Sequence, residues 1–208
     1  MDARIETLIG NLQRRNILGV YCKNKNLAQS TVFQMIPKEA SIGFSGSKTI
    51  EEIEIITRLQ ERGNIVFDPY KPGLSREESL KIRKQGTLAD FYLASANAVS
   101  ECGKMVFFSG YGNRTSGVSY AKNAIIVCGI NKIAANIDEA LTRAREFATP
   151  LNCKRLNWES ACLKDGRCRE ETCLFPEYKR MCCQILIIEA EVALDRLKVV
   201  LVGENLGY

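Results

Sequence analysis

From Asp2 to Gly86 the chain alternates between two periodicities, and that alternation limits the folds open to it. Ile5, Leu8, Ile9 and Leu12 recur at helical spacing and predict an amphipathic helix over 2–15. Leu18 to Tyr21 is a short apolar strand. Ala28, Val32, Met35 and Ile36 mark a second helix that ends before Pro37, because a proline disfavours helical geometry in the residue before it. A short apolar run at Ile42 leads into a third helix with Ile53, Ile56 and Leu59 inward, stopped by Gly63. Asn64–Asp68 reads as a strand and Ser75–Gln85 as a polar helix with a capping box, Ser75 and Glu78, at its start. Helices inserted between consecutive strands argue for an α/β domain whose sheet is mostly parallel.

The turn at Ile42-Gly43-Phe44-Ser45-Gly46-Ser47-Lys48-Thr49 stands at one of these strand-to-helix junctions. Thr49 followed by Glu52 has the form of a capping box and places the N-cap at Thr49. Two glycines, three hydroxyl residues and the outward N–H groups of a first helical turn suit a phosphate or carboxylate. Ser45, Gly46, Ser47, Lys48 and Thr49 are therefore candidate ligand-binding residues. Any strand-to-helix turn also uses Gly and Ser simply to turn and cap, so both readings stand. The stretch is not a Walker A loop, because G-x-x-x-x-G-K-[ST] cannot be laid over it.

Beyond Asp90 the pattern becomes strand-rich. Phe91–Ala94, Met105–Phe108 and Ala124–Cys128 are apolar strands, Ser95–Gly103 connects the first two, and Gly110–Arg114 is a polar, turn-rich loop. Asn136 caps a helix with Ile137, Leu141, Ala144 and Ala148 on one face, ending at Pro150. Strands at Ile185–Ile188 and Lys198–Val202 close the chain, and closing strands of this kind insert into an existing sheet. The expectation is a single domain over 1–208, with a cysteine-rich segment at 153–183 inside it.

Composition narrows the chemistry. The chain has 208 residues and a net charge of +5, with acids interspersed among the bases. No basic stripe with stacking aromatics is present, so nucleic acid is not an expected partner. No apolar run is long enough to span a membrane and the N-terminus is not a signal peptide, so a cytoplasmic protein is expected. Histidine is absent, which leaves acid–base work to Asp, Glu, Lys, Cys or Tyr. There are nine cysteines, six of them between Cys153 and Cys183. In a reducing compartment that clustering favours metal or redox work over a disulfide framework. Cys162, Cys168, Cys173 and Cys182 are the best four ligands for zinc or an iron–sulfur cluster. Their spacing matches neither zinc ribbons nor bacterial ferredoxins, and reversible disulfides or packed free thiols are equally open.

Several blocks, taken in order, resemble a known family. They are Gly46-Ser47-Lys48-Thr49, Asn97-Ala98-Val99-Ser100-Glu101-Cys102-Gly103, Gly112-Asn113-Arg114, Ile125–Val127 with Gly129-Ile130-Asn131-Lys132-Ile133, the helix with Glu139, Ala140 and Arg143, and Val202-Gly203-Glu204-Asn205-Leu206-Gly207. Together they resemble the LUD (lactate-utilization) domain family from about residue 5 to the C-terminus. The resemblance implies a NagB/RpiA/CoA-transferase-like α/β fold in which the glycine–hydroxyl turn grips an anionic group. It also implies a role in the conversion of lactate or a similar small organic acid, beside an iron–sulfur partner subunit, and leaves a homo-oligomer open. Asn97, Glu101, Asn113 and Arg114 would converge beside the turn. Arg114 would clamp a carboxylate, the asparagines would orient it, and Glu101 would be the base or nucleophile. Lys132, directly after a buried strand, is a further candidate for meeting a negative ligand, and Asp90 a weaker one for the same pocket. A non-catalytic ligand-binding module and a phosphosugar- or CoA-linked isomerase or transferase are the alternatives.

Overall fold

The computed structural model describes residues 2–208. Asp2 caps α1 (Ala3–Arg14) by accepting from the Arg4 amide, and the chain returns as β1 (Leu18–Cys22). Asn24 caps α2 (Lys25–Met35), which leads to β2 (Ile42–Phe44). Two short helices follow, α3 (Lys48–Glu52) and α4 (Ile55–Glu61), then β3 (Val66–Phe67), α5 (Arg76–Gly86) and β4 (Phe91–Ala94). The strand-rich half contains β5 (Ala98–Ser100), β6 (Met105–Ser109), α6 (Asn113–Tyr120), β7 (Ala124–Gly129) and β8 (Ile133–Ala134). It continues through α7 (Ile137–Thr142), a π-helical stretch Arg143–Ala148, α8 (Thr149–Arg155) and α9 (Cys162–Asp165). The last strands are β9 (Gln184–Ile188) and β10 (Leu197–Val202).

Six of these strands form one parallel sheet in the order β1-β10-β7-β4-β2-β3. The closing strand β10 inserts between β1 and β7, as the sequence suggested. Side chains alternate across it. Leu197, Val199 and Leu201 enter the core beneath α1, while Val200 and Val202 enter the one beneath α2 and α4. Ala124, Ile126 and Cys128 of β7 divide from Ile125 and Val127 in the same way. A sheet covered on both faces needs such near-continuous apolar strands.

A second sheet, β8-β5-β6-β9, extends the domain to one side. The sequence reading expected a connection at Ser95–Gly103 where β5 lies. Val99, Met105 and Phe107 join the core beneath α1, and Ala98, Val106 and Phe108 pack under Ala140 and Ala144. The architecture is a single α/β domain with a mostly parallel main sheet and flanking helices.

Three helix boundaries differ from expectation. Ser47, not Thr49, caps α3 by accepting from the Ile50 amide, and Glu54 at φ 52° separates α3 from α4 where one helix was expected. A helix over Asn113–Tyr120 takes in Asn113 and Arg114, the last two residues of the expected loop. And the helix expected to end at Pro150 runs past it, because proline is tolerated in the first turn of α8. The π stretch lets the Thr149 hydroxyl reach back to the Ala144 carbonyl at 2.8 Å.

Close backbone approach fixes how α5 lies on the sheet. A methyl group at Gly43 would land on the Gly86 carbonyl, whereas Gly10 on α1 has open space around it. Gly43→Ala is expected to lose about 2 kcal/mol or more by overpacking, and Gly10→Ala to gain about 0.5–1 kcal/mol in helix propensity. Urea unfolding of the two variants beside the parent checks both signs.

Candidate functional site

The residues that follow the parallel strands gather at one edge of the sheet. Ser45 follows β2, Ser95 follows β4, Ile130–Lys132 follow β7 and Gly203–Tyr208 follow β10. Open parallel sheets place ligands at this carboxyl edge, where backbone and side-chain polar groups leave the core together.

Lys132 is the most constrained group there. Its side chain is 3% exposed, and Nζ donates to Thr49 Oγ1 at 2.7 Å and Ser95 Oγ at 2.8 Å. Burial is the main reason its pKa falls to about 8; Arg143 and Arg114 lower it further, while Cys128 and Glu52 act against them. Two hydroxyls satisfy two of the three N–H groups of an ammonium. Thr49 is thereby an interior residue of α3, and its own hydroxyl donates to the Leu206 carbonyl at 3.2 Å. The segment after β10 is held over this point: Leu206 N donates to Asn131 Oδ1 at 3.1 Å and Gly207 N to Glu52 Oε2 at 2.7 Å.

Arg114 sits in the first turn of α6 and bridges four segments. Its guanidinium donates to Ser45 Oγ (3.3 Å), the Gly46 carbonyl (2.6 Å), Asn97 Oδ1 (3.3 Å) and the Phe108 carbonyl (3.0 Å). Asn97 Oδ1 also accepts from the Phe108 amide, and its carbonyl accepts from Arg143 at 2.7 Å. Nothing anionic neutralises Arg114 in this set, and burial pulls its pKa down from the ordinary value.

Two adjoining spaces open beside these groups. The inner chamber, of about 30 Å³, is bounded by the 46–49 turn, Ser95, Asn97, Arg114, Lys132, Asn152 and Gly207–Tyr208. That volume suits one small polar group. Three cationic side chains and no Asp or Glu side chain line it. It adjoins an outer cleft of about 820 Å³ that shares Gly46, Ser47, Asn97, Arg114 and Asn152 with it. The fold thus brings together Ser45, Gly46, Ser47, Lys48, Thr49, Asn97, Asn113, Arg114 and Lys132 around these two adjoining spaces. Within it Lys48 is paired to Glu51 at 2.9 Å, and the Asn113 carbonyl accepts from the Tyr92 hydroxyl at 2.8 Å.

The LUD domain model matches residues 5–202. The chain belongs to the LUD domain family. Among solved structures, a DUF162 family protein from Deinococcus radiodurans is 11% identical, with 96% of each chain covered and a TM-score of 0.54. Ribose 5-phosphate isomerase from Plasmodium falciparum is 18% identical over 54% of this chain and 52% of its own, at a TM-score of 0.37. That of Neisseria gonorrhoeae is 16% identical over 54% of each chain, also at 0.37. No curated protein matches. No helix among the described residues is long and apolar enough to cross a membrane.

Two expectations drawn from the LUD resemblance meet a different geometry. Glu101 follows β5 on the far side of the second sheet, where it pairs with Arg4 of α1, and its carbonyl accepts from Asn11 at 2.8 Å. It lines neither the inner chamber nor the outer cleft. Asp90 begins β4 at the opposite edge of the main sheet. It accepts from the Ser41 amide at 3.0 Å and hydroxyl at 2.8 Å, which hold its pKa down at about 2.

Cys162, Cys168, Cys173 and Cys182 do meet, with Cys153, around a cavity of about 10 Å³. Yet among the described residues no group of three or more Cys, Asp or Glu side chains is arranged to hold a metal ion. The nine cysteines are free. Without a bound metal, burial pushes Cys153 up to about 12 and raises Cys168 and Cys182. Cys162 shares a hydrogen bond with the Ser160 hydroxyl at 3.2 Å, and Cys173 accepts from the Ala161 amide at 3.4 Å.

Sequence reasoning missed Ser95, Asn152, Arg155 and Tyr208. Tyr208 donates to Asn152 Oδ1 at 3.0 Å and accepts from Arg155 at 2.6 Å, closing the inner chamber from α8. Only Ser95 carried a signal, its place directly after a buried strand.

The lowered pKa of Lys132 has a measurable consequence. Between about 8 and the ordinary lysine value of 10.5 the unfolded chain holds a proton that the folded one has lost. Stability contributed by this residue therefore rises with pH through that window, by at most about 1 kcal/mol per pH unit. Lys132→Met removes the term. The stability difference between parent and variant should move in the parent's favour from pH 8 to pH 10, as read by urea unfolding, and a constant difference would reject the assignment.

Proposed function

We propose that this LUD-family protein binds the anionic group of a small organic acid, lactate or a close relative, in the inner chamber. Family membership associates the chain with lactate utilization; the ligand and its seat are read from the site. The observation that carries the reading is the imbalance of charge in that chamber, where Arg114 and Lys132 are bonded to neutral acceptors and no Asp or Glu side chain lines the space. A guest anion supplies the missing negative charge, and charge-assisted hydrogen bonds in a partly dry site are the strong ones. The third N–H of Lys132 and the hydroxyl of Ser47 are the donors best placed to receive it, with Arg114 holding the turn in shape.

In this reading Glu101 is a structural partner of α1 and takes no part. Oxidation of a 2-hydroxy acid to a 2-oxo acid would release two protons and two electrons, and an iron–sulfur partner subunit would be the electron acceptor.

Calorimetric titration with L-lactate, pyruvate and inorganic phosphate at pH 7 and pH 9.5 tests the reading. Binding should weaken as pH rises through about 8, because the ammonium that meets the anion is lost. Lys132→Met and Ser47→Ala, each checked for folding by circular dichroism, should weaken binding about 10-fold or more, the worth of a charged hydrogen bond. Affinity that ignores both substitutions and pH would refute the site.

A further inference from the structure

The outer cleft is far larger than a two- or three-carbon acid requires, and one of its walls is aromatic. Phe44 and Tyr70 pack with ring centroids 5.5 Å apart. The Arg83 guanidinium lies 4.7 Å from the centre of Tyr70 and 5.4 Å from that of Tyr111, and Tyr111 meets Trp158 edge-on at 6.2 Å. All five side chains line the cleft. Tyr70 and Tyr111 remain 43% and 47% exposed, so these rings are not core residues.

The wall is also held in place. The Tyr70 hydroxyl accepts from the Gly46 amide and from Arg83 at 3.1 Å, which ties the wall to the anion-binding turn itself. Trp158 Nε1 donates to the Lys179 carbonyl at 2.6 Å. Their polar tips are thus engaged inside the protein while apolar ring surface faces the cleft. Fixed aromatic rings with an arginine between them are suited to a flat, electron-rich ring, which stacks on them with little ordering cost. Arg155, which also lines the cleft and donates to the Tyr208 hydroxyl, adds positive charge beside the inner chamber.

We infer that the full ligand is a nucleotide-class molecule, an anion joined to a planar aromatic ring, with its ring on the Tyr70–Arg83–Tyr111–Trp158 wall. The inference rests on the anion reading above and extends it, since the inner chamber takes one anionic group and the wall takes the ring. The organic acid is then a part of the ligand or its companion in the cleft.

Trp158 is the chain's one tryptophan, so intrinsic fluorescence reports on this wall alone. The full chain is titrated with AMP, UMP and FMN, and with inorganic phosphate, ribose 5-phosphate and adenosine as controls, FMN being followed also by its own emission. At least one nucleotide should change the tryptophan signal saturably and bind 10-fold or more tighter than phosphate and ribose 5-phosphate. Tyr111→Ala should remove most of that gain and leave phosphate binding, measured by calorimetry, within 2-fold of the parent. Nucleotides no tighter than ribose 5-phosphate would overturn the ring assignment while leaving the anion reading intact. Adenosine binding as tightly as AMP, with no response to phosphate or lactate, would overturn the anion reading and with it this inference.

Discussion

Six parallel strands covered on both faces leave water access only to their ends. Everything polar at the site follows from that constraint. The strand interiors are apolar on both sides, so Ser45, Ser95, Lys132 and the segment after Val202 are the first groups able to carry hydrogen bonds as each strand leaves the core. They leave it side by side because the register aligns the strand ends. Phe44 pairs with Leu93, Ala94 with Ile126, and Val202 with Gly129. The chamber is therefore built by topology before any one side chain shapes it.

Its electrostatics are unusual for a folded interior. A buried cation is ordinarily matched by a carboxylate, since taking an unpaired charge out of water is costly. Lys132 is matched instead by the hydroxyls of Thr49 and Ser95, and Arg114 by carbonyls, one amide oxygen and one hydroxyl. Neutral acceptors satisfy hydrogen-bonding capacity without cancelling charge. The result is a small positive space whose geometry is fixed but whose charge is left for a guest. Arg143 of the π stretch reinforces this by holding the carbonyls of Asn97 and Asn131, the residues flanking Ala98 and Lys132. A rigid frame of this kind lowers the ordering cost of binding.

How far the sequence announces this arrangement depends on distance along the chain. The alternation of helix and strand from Asp2 to Gly86 is local and was legible, as were Lys132 and Arg114 as cations beside strand ends. The cap of α3 was not. Ser47 and Thr49 can each cap a helix, and Thr49 with Glu52 has the stronger local signature. The choice is made by Lys132, more than eighty residues away, which takes the Thr49 hydroxyl into the interior. Helix α6 is similar. Asn113 and Arg114 read as the end of a polar loop, but Gly117 lets the helix they begin lie directly on the Tyr92 ring. Tyr208 and Asn152 reach the chamber from elements that no local pattern links to it. Glu101 shows the opposite error. It stands near Asn97 in sequence, yet β5 intervenes and turns it towards Arg4.

The cysteine-rich segment forms part of the wall of the outer cleft. Residues 156–183 contain one short helix and otherwise irregular chain, so other interactions must fix them. Arg145 from the π stretch pairs with Glu170, which also receives Arg180 at 3.2 Å, while Glu159 pairs with Lys179. Between these ion pairs the thiols pack as small apolar groups. Thr149, Met181 and Cys182 line both the thiol cavity and the outer cleft, so the packing behind them sets the position of the cleft wall. Cysteine suits that task because a neutral, buried thiol fills space without demanding a hydrogen-bond partner.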